Sequence, residues 1–314
     1  MKKIFRTTYL ALLLIAGLSC NNDPMPDAPK GKYPILFRCS DETRAVATVD
    51  SMKEDTDGFD VYAYIEASTG AKVNFAKNVI WDKDQLMWLY DDIEYWVVGA
   101  KYWFKAVYPH DIHNIAKVDN TNTTQAVTIE GYEISNQYDI LVAETDRGGM
   151  LVTEQNQAPA SGSEVSLQFQ HLLANVTIKV LSELATPVEV ERIELRNIAS
   201  KGDYNGSWNI ANYSSRTFGI DSDITLNKAE SETDYTDITS GGIIVVPEQI
   251  NGTQKLYIKT TFKEYEISFP TTHRWDSGKK YTYTLTIKQE YIEFNEPKVD
   301  IWDEENATGS VVIK

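Results

Sequence analysis

The sequence predicts an all-β protein built as β-sandwiches, and three observations carry that prediction. The 314 residues include 18 Tyr and 7 Trp beside many Val, Ile and Thr, residue types that favour the pleated strand. Short runs of alternating apolar and polar residues recur along the chain, separated by turn residues. Almost no stretch shows the period of an amphipathic helix. This length suits two domains. A composition of 42% hydrophobic and 24% charged residues is ordinary for a globular chain and gives each half material for a core.

The first strand is expected within Tyr33–Cys39. There Ile35, Phe37 and Cys39 share one face, and Leu36 and Arg38 share the other. Cys39 therefore reads as a buried strand residue rather than a reactive thiol. Ser40 to Asp57 is polar and ends the run. Further strands are expected at Phe59–Ile65, Tyr102–Tyr108 and Asp139–Ala143. Thr153 to Ser163 contains Gln, Asn, Pro159, Gly162 and Ser, and is the expected boundary between sandwiches at 33–163 and 164–314. The second half offers Val165–His171, Ala174–Val180, Val188–Asn197, Gly241–Val246, Lys255–Phe262 and Tyr281–Ile287. In the last run Thr282, Thr284 and Thr286 face opposite Tyr281, Tyr283, Leu285 and Ile287. The tail adds three short candidates, Tyr291–Phe294, Val299–Trp302 and Ser310–Lys314.

Residues 1–19 read as an export signal. Lys2, Lys3 and Arg6 precede the ten-residue apolar run Tyr9 to Leu18, half the length of about 20 residues that spans a bilayer. The run stops at Ser19-Cys20. A small residue before Cys at that point resembles a bacterial lipoprotein signal, although Gly17 stands where that pattern usually has Leu. Cys20 would then be the mature N-terminus and carry acyl chains, palmitate among them, which together hold a protein firmly on a bilayer. Residues 20–32 include Pro24, Pro26 and Pro29 and read as an extended tether.

Charge and composition exclude several functions. Thirty cationic side chains against 46 acidic ones give a net charge of −16, with no long basic run, so no nucleic-acid partner is expected. Two cysteines, Cys20 and Cys39, cannot make a disulfide framework. Among four histidines, His110 and His113 have a ligand-like spacing, but two His and one Asp without further placed ligands make a poor metal site. His171 reads as structural. Acidic clusters such as Asp82-Lys-Asp84, Asp91-Asp92 and Asp303-Glu-Glu305 lack the sharp Gly turn of a calcium loop. No phosphate loop, nucleophile elbow or zincin helix occurs. Neither a cofactor nor a metal nor enzymatic activity is expected. Trp81, Trp88, Tyr90, Tyr95, Trp96, Tyr102 and Trp103 crowd one stretch. They read as core packing before they read as a sugar-stacking surface.

Several segments together resemble the fimbrillin family of Bacteroidales, in its fimbrillin-like lipoprotein branch. They are Cys20, the first strand ending in Asp41-Glu-Thr-Arg-Ala45, Tyr102-Trp-Phe-Lys-Ala-Val-Tyr-Pro109 and Gln137-Tyr-Asp-Ile-Leu-Val-Ala143. Val165 to Ile178, with its Phe-x-His-x-x-Ala-x-Val pattern, Val245-Val-Pro-Glu-Gln249 and Trp275 to Tyr283 complete them. The resemblance implies two transthyretin-like β-sandwich domains in a subunit or accessory component of a surface fimbria. It implies transport to the outer membrane, removal of the N-terminal strand by a trypsin-like protease, and filling of the vacated groove by a strand of the next subunit. On these residues the plug is Ile35, Phe37 and Cys39, and the donor is Val311, Val312 and Ile313. Arg38 and Arg44 are the available cleavage positions. Arg44 is preferred because it follows the strand among polar residues, and cutting there leaves 270 residues. The expected partners are other fimbrial subunits, the outer membrane through Cys20, and a host or bacterial surface glycan or protein. The alternative is a lipid-anchored ligand-binding lipoprotein that never polymerises.

Overall fold

The computed structural model describes residues 33–39, 52–145, 149–153, 164–269 and 273–302. The chain is all-β, as the sequence predicts, apart from short helical turns such as His110–Asn114 and Ile134–Asn136.

The first body is one curled sheet. It contains β1 (Phe37–Cys39), β2 (Phe59–Glu66), β3 (Lys72–Asp82), β4 (Met87–Leu89) and β5 (Lys101–Tyr108). It also contains β8 (Leu141–Glu144), β9 (Met150–Leu151), β10 (Val165–Leu167) and β11 (Gln170–His171). The strand order is β10-β1-β4-β3-β2-β5-β8-β11, with β9 beside β5. The two end strands, β10 and β11, are separated in sequence only by Gln168 and Phe169. The sheet therefore wraps around its own core, and Phe169 sits inside against Phe59, ring centroids 5.2 Å apart. This is why the expected single strand Val165–His171 is two strands: the chain changes from one end of the sheet to the other at its midpoint.

The second body is a sandwich. One sheet holds β12 (Ala174–Ser182), β17 (Thr236–Asp237), β18 (Ile243–Val245), β23 (Lys279–Ile287), β24 (Ile292–Phe294) and β25 (Lys298–Ile301). The other holds β13 (Val188–Ala199), β16 (Ser215–Leu226), β20 (Lys255–Thr260) and β21 (Glu264–Ser268). Alternate residues of the inner faces, including Val176, Ile178, Ile193, Leu195, Ile258, Tyr283 and Leu285, form one buried cluster, the usual solution for two amphipathic sheets. Strands β12 and β23 run parallel from Asn175↔Lys280 to Ser182↔Ile287. The tail strands β25 and β24 both pair with β23, at its start and its end respectively.

A smaller sheet joins the two bodies. Its order is β15-β14-β7-β6, with β6 (Ala116–Val118) and β7 (Val127–Glu133) from the first half and β14 (Lys201–Asn205) and β15 (Trp208–Asn209) from the second. Beneath it Ile129, Tyr132, Ile140, Leu173, Trp208 and Val246 form a third core. A pair of short strands, β19 (Gln249–Ile250) and β22 (His273–Arg274), completes the described structure. Strands from both sides of the 153–163 segment thus share sheets. Most of that segment, 154–163, lies outside the described residues.

Candidate functional site

Strand β1 occupies an interior position of the first sheet. It pairs parallel with β10, Phe37↔Val165 to Cys39↔Leu167, and antiparallel with β4 at Phe37↔Trp88. The backbone before it is held on both sides. Trp96 N–H donates to Tyr33 O at 2.9 Å, Ile35 N–H to Glu94 O at 2.8 Å, and Val165 N–H to Leu36 O at 2.6 Å. Tyr90 adds a side-chain hydrogen bond from its hydroxyl to Ile35 O at 2.7 Å, and burial pushes that hydroxyl's pKa well above its usual value. The phenol is therefore a permanent donor here.

The side chains of this segment close the first core. Ile35 is 0% and Phe37 is 1% exposed, and Cys39 is buried. Phe37 packs on Tyr90 and, edge-on, on Phe104, each at 5.6 Å between centroids. Leu36 is also buried and Arg38 is exposed, so both faces of the segment before Arg38 are covered. Five of the seven crowded aromatics, Trp88, Tyr90, Trp96, Tyr102 and Trp103, are buried, and four of them belong to this core. Trp81 and Tyr95 are half-buried at its margin.

Other residues singled out in the sequence take these positions. His171 is buried, and its Nδ1 pairs with Asp139 Oδ2. The Trp302 ring stacks on it at 4.1 Å and 10°, a contact between sequence-distant segments that strand patterns do not reveal. His110 Nδ1 lies 2.7 Å from Asp60 Oδ1. Among the described residues no group of three or more His, Cys, Asp or Glu could hold a metal ion. Cys20, Arg44, Val311, Val312 and Ile313 lie outside the described residues.

A buried carboxylate went unnoticed in the sequence. Glu248 is 4% exposed. It accepts the Ala199 N–H at 2.7 Å and the Gln254 side-chain amide at 3.4 Å. Burial raises its pKa to about 7 against the lowering effect of those bonds. Glu248 follows Pro247 within the Val245–Gln249 motif, the one signal that marked this segment.

The chain is thus all-β, with its first strand enclosed between β10 and β4 in the interior of a sheet. Residues 43–302 match the fimbrillin-like family, and the chain belongs to it. No curated protein matches the sequence. Among solved structures, a candidate cell-adhesion protein from Bacteroides uniformis aligns with a TM-score of 0.53 at 15% identity, covering 88% of this chain and all of that one. A candidate cell-adhesion protein from Bacteroides ovatus also reaches 0.53, at 14% identity over 80% and 90% of the two chains. The tip fimbrial protein Mfa3 from Porphyromonas gingivalis, truncated at its C-terminus, aligns at 0.45 and 11% identity over 86% and 98%. Family membership supports a pilus- or adhesin-type role, association with other fimbrial subunits and a place at the cell surface.

Proposed function

We propose that this protein is a fimbrial structural subunit or tip or accessory adhesin, without enzymatic activity, assembled by protease-triggered donor-strand exchange. The observation that carries the reading is the interior position of β1. Removing an edge strand would leave one new edge; removing β1 leaves two, on β10 and β4, together with the apolar slot that held Ile35 and Phe37. Exposed strand edges beside apolar surface are a template for another strand. Refilling two or three such side-chain sites is worth about 1.5–3 kcal/mol each before the cost of ordering the donor.

In this reading Cys20 carries the lipid that delivers the protein to the outer membrane. Cleavage after Arg44 releases both tether and plug, and Val311, Val312 and Ile313 of a neighbour refill the slot. Strands β24 and β25 are already paired with β23 of their own chain, so the donor is assigned to the residues after Trp302.

The test is the mature N-terminus, followed by incubation of the purified protein with an Arg-specific protease. A start at Ala45 and detergent-resistant ladders support the subunit. Acylated Cys20 as the sole N-terminus, with monomers only after cleavage, would leave the non-polymerising lipid-anchored binding protein. Unchanged membrane partitioning of Cys20→Ala would remove the lipid from either account.

A further inference from the structure

The junction between the two bodies contains two adjoining cavities, of about 840 and 650 Å3. They share Gln170, Leu172, Tyr204 and Gly206, so they adjoin along these residues as one cleft. Its walls are fixed by packing. The Trp208 indole N–H donates to Leu172 O at 2.6 Å, Tyr204 packs on Trp208 at 5.5 Å, and the His171 ring is clamped between Asp139 and Trp302.

The charge of the larger half is opposite to that of the molecule. In a chain of net charge −16, it is lined by Arg274 and Lys279 against the single carboxylate Asp276. Arg274 meets Asp276 through Nε at 3.2 Å. The terminal guanidinium nitrogens carry the remaining donors in the planar fork that suits a carboxylate. The amide residues Gln168 and Gln170 and the hydroxyl residues Ser207 and Ser277 line the same half. An aromatic ring from Tyr204, amide and hydroxyl residues in the lining, and a cationic pair match the ring face, hydroxyls and acid group of an acidic pyranose. The edge strands that line this half, β11, β15 and β22, are two residues long each, and β25 is four, short stretches for a peptide to extend by backbone pairing.

We propose that this cleft binds a carboxylate-bearing saccharide, its acid group on Arg274 and Lys279 and a ring against Tyr204. This goes beyond donor-strand exchange and does not depend on it, because none of these residues belongs to the β1 slot.

The experiment is calorimetric titration of the full chain with 3′-sialyllactose and with trigalacturonate, using lactose as the uncharged control. At least one acid should bind saturably, and which one distinguishes a sialic from a uronic source. Lactose should bind roughly tenfold or more weakly. Arg274→Ala and Lys279→Ala should each weaken the acid roughly tenfold or more, and about 0.5 M salt should weaken it too. Both side chains are partly exposed, so thermal unfolding should be unchanged and loss of binding is not loss of fold. The proposal is overturned if neither acid binds, if lactose binds as well as the acids, or if both variants bind like the parent. Equal binding of a hexaglutamate peptide would also overturn it, by moving the site to acidic protein segments.

Discussion

Replacing Phe37 by Ala tests whether β1 is held by its side chains or only by its backbone ladder. Phe37 is 1% exposed and packs on Tyr90 and Phe104 in the first core. Loss of a buried Phe costs about 3–5 kcal/mol, the lost transfer energy plus the cavity left behind. In a domain of this size each kcal/mol moves the melting temperature by about 2–4 °C, so the shift expected is roughly 6–20 °C for the first body. Trp88 and Trp96 lie in the same core and report its unfolding by fluorescence. The variant should also lose its N-terminal segment faster to an Arg-specific protease, because the strand is retained by fewer contacts. A melting shift below about 2 °C, with unchanged proteolysis, would show that the slot closes equally well without the ring and would refute the reasoning.

Three further outcomes are expected. Glu248 ionises near 4.5 in the unfolded chain and near 7 in the folded one, so the folded state binds more protons between those values. Stability is full below about pH 4.5, falls as pH rises and levels off above 7, a loss of about 3 kcal/mol. Denaturant titrations of Glu248→Gln should lack that slope, and a parent curve flat from pH 5 to 8 would contradict it. His171→Ala leaves Asp139 without its imidazole partner and removes the Trp302 stack, and should cost about 1–3 kcal/mol in denaturant unfolding. Gly242 has φ +120°, and a Cβ there would lie 2.1 Å from Asn175 Oδ1. Gly242→Ala should destabilise by about 2–4 kcal/mol in the same assay, and a neutral result would mean that the loop yields.

Much of the fold was legible because its central strands alternate. Tyr281 to Ile287 and Ala174 to Val180 lie within β23 and β12, where one face meets the sandwich core. The long strands β3 and β16 were not legible. Most of their residues are exposed or half-exposed, so neither carries a clear apolar stripe, and both are held by pairing with β2 and β13. Alternation also understated the segment that leads into β1, where Leu36 is buried as well as Ile35 and Phe37. The junction was invisible. Asp139, His171, Tyr204, Arg274 and Trp302 are brought together only by the docking of two bodies, and no local spacing records that.

The first and last described strands of the second body, β12 and β25, begin and end beside one glycine. Gly278 N–H donates to Leu173 O at 2.8 Å, just before β12 begins, and Trp302 N–H donates to Gly278 O at 3.0 Å, just after β25 ends. The start of β12 and the end of β25 are thus stitched together through a single glycine, with the Trp302–His171 stack beside them. A pull applied to the chain on either side of this stitch would be carried across it and would not pass through the sandwich. The second body would then sit outside the line of force, tied to the first also through β14 on β7. It could be strained, exchanged or even unfolded without lengthening the path between Leu173 and Trp302 for as long as the stitch holds. Force spectroscopy would register this as an early short event, the stitch opening, followed by one long extension as the sandwich comes into load.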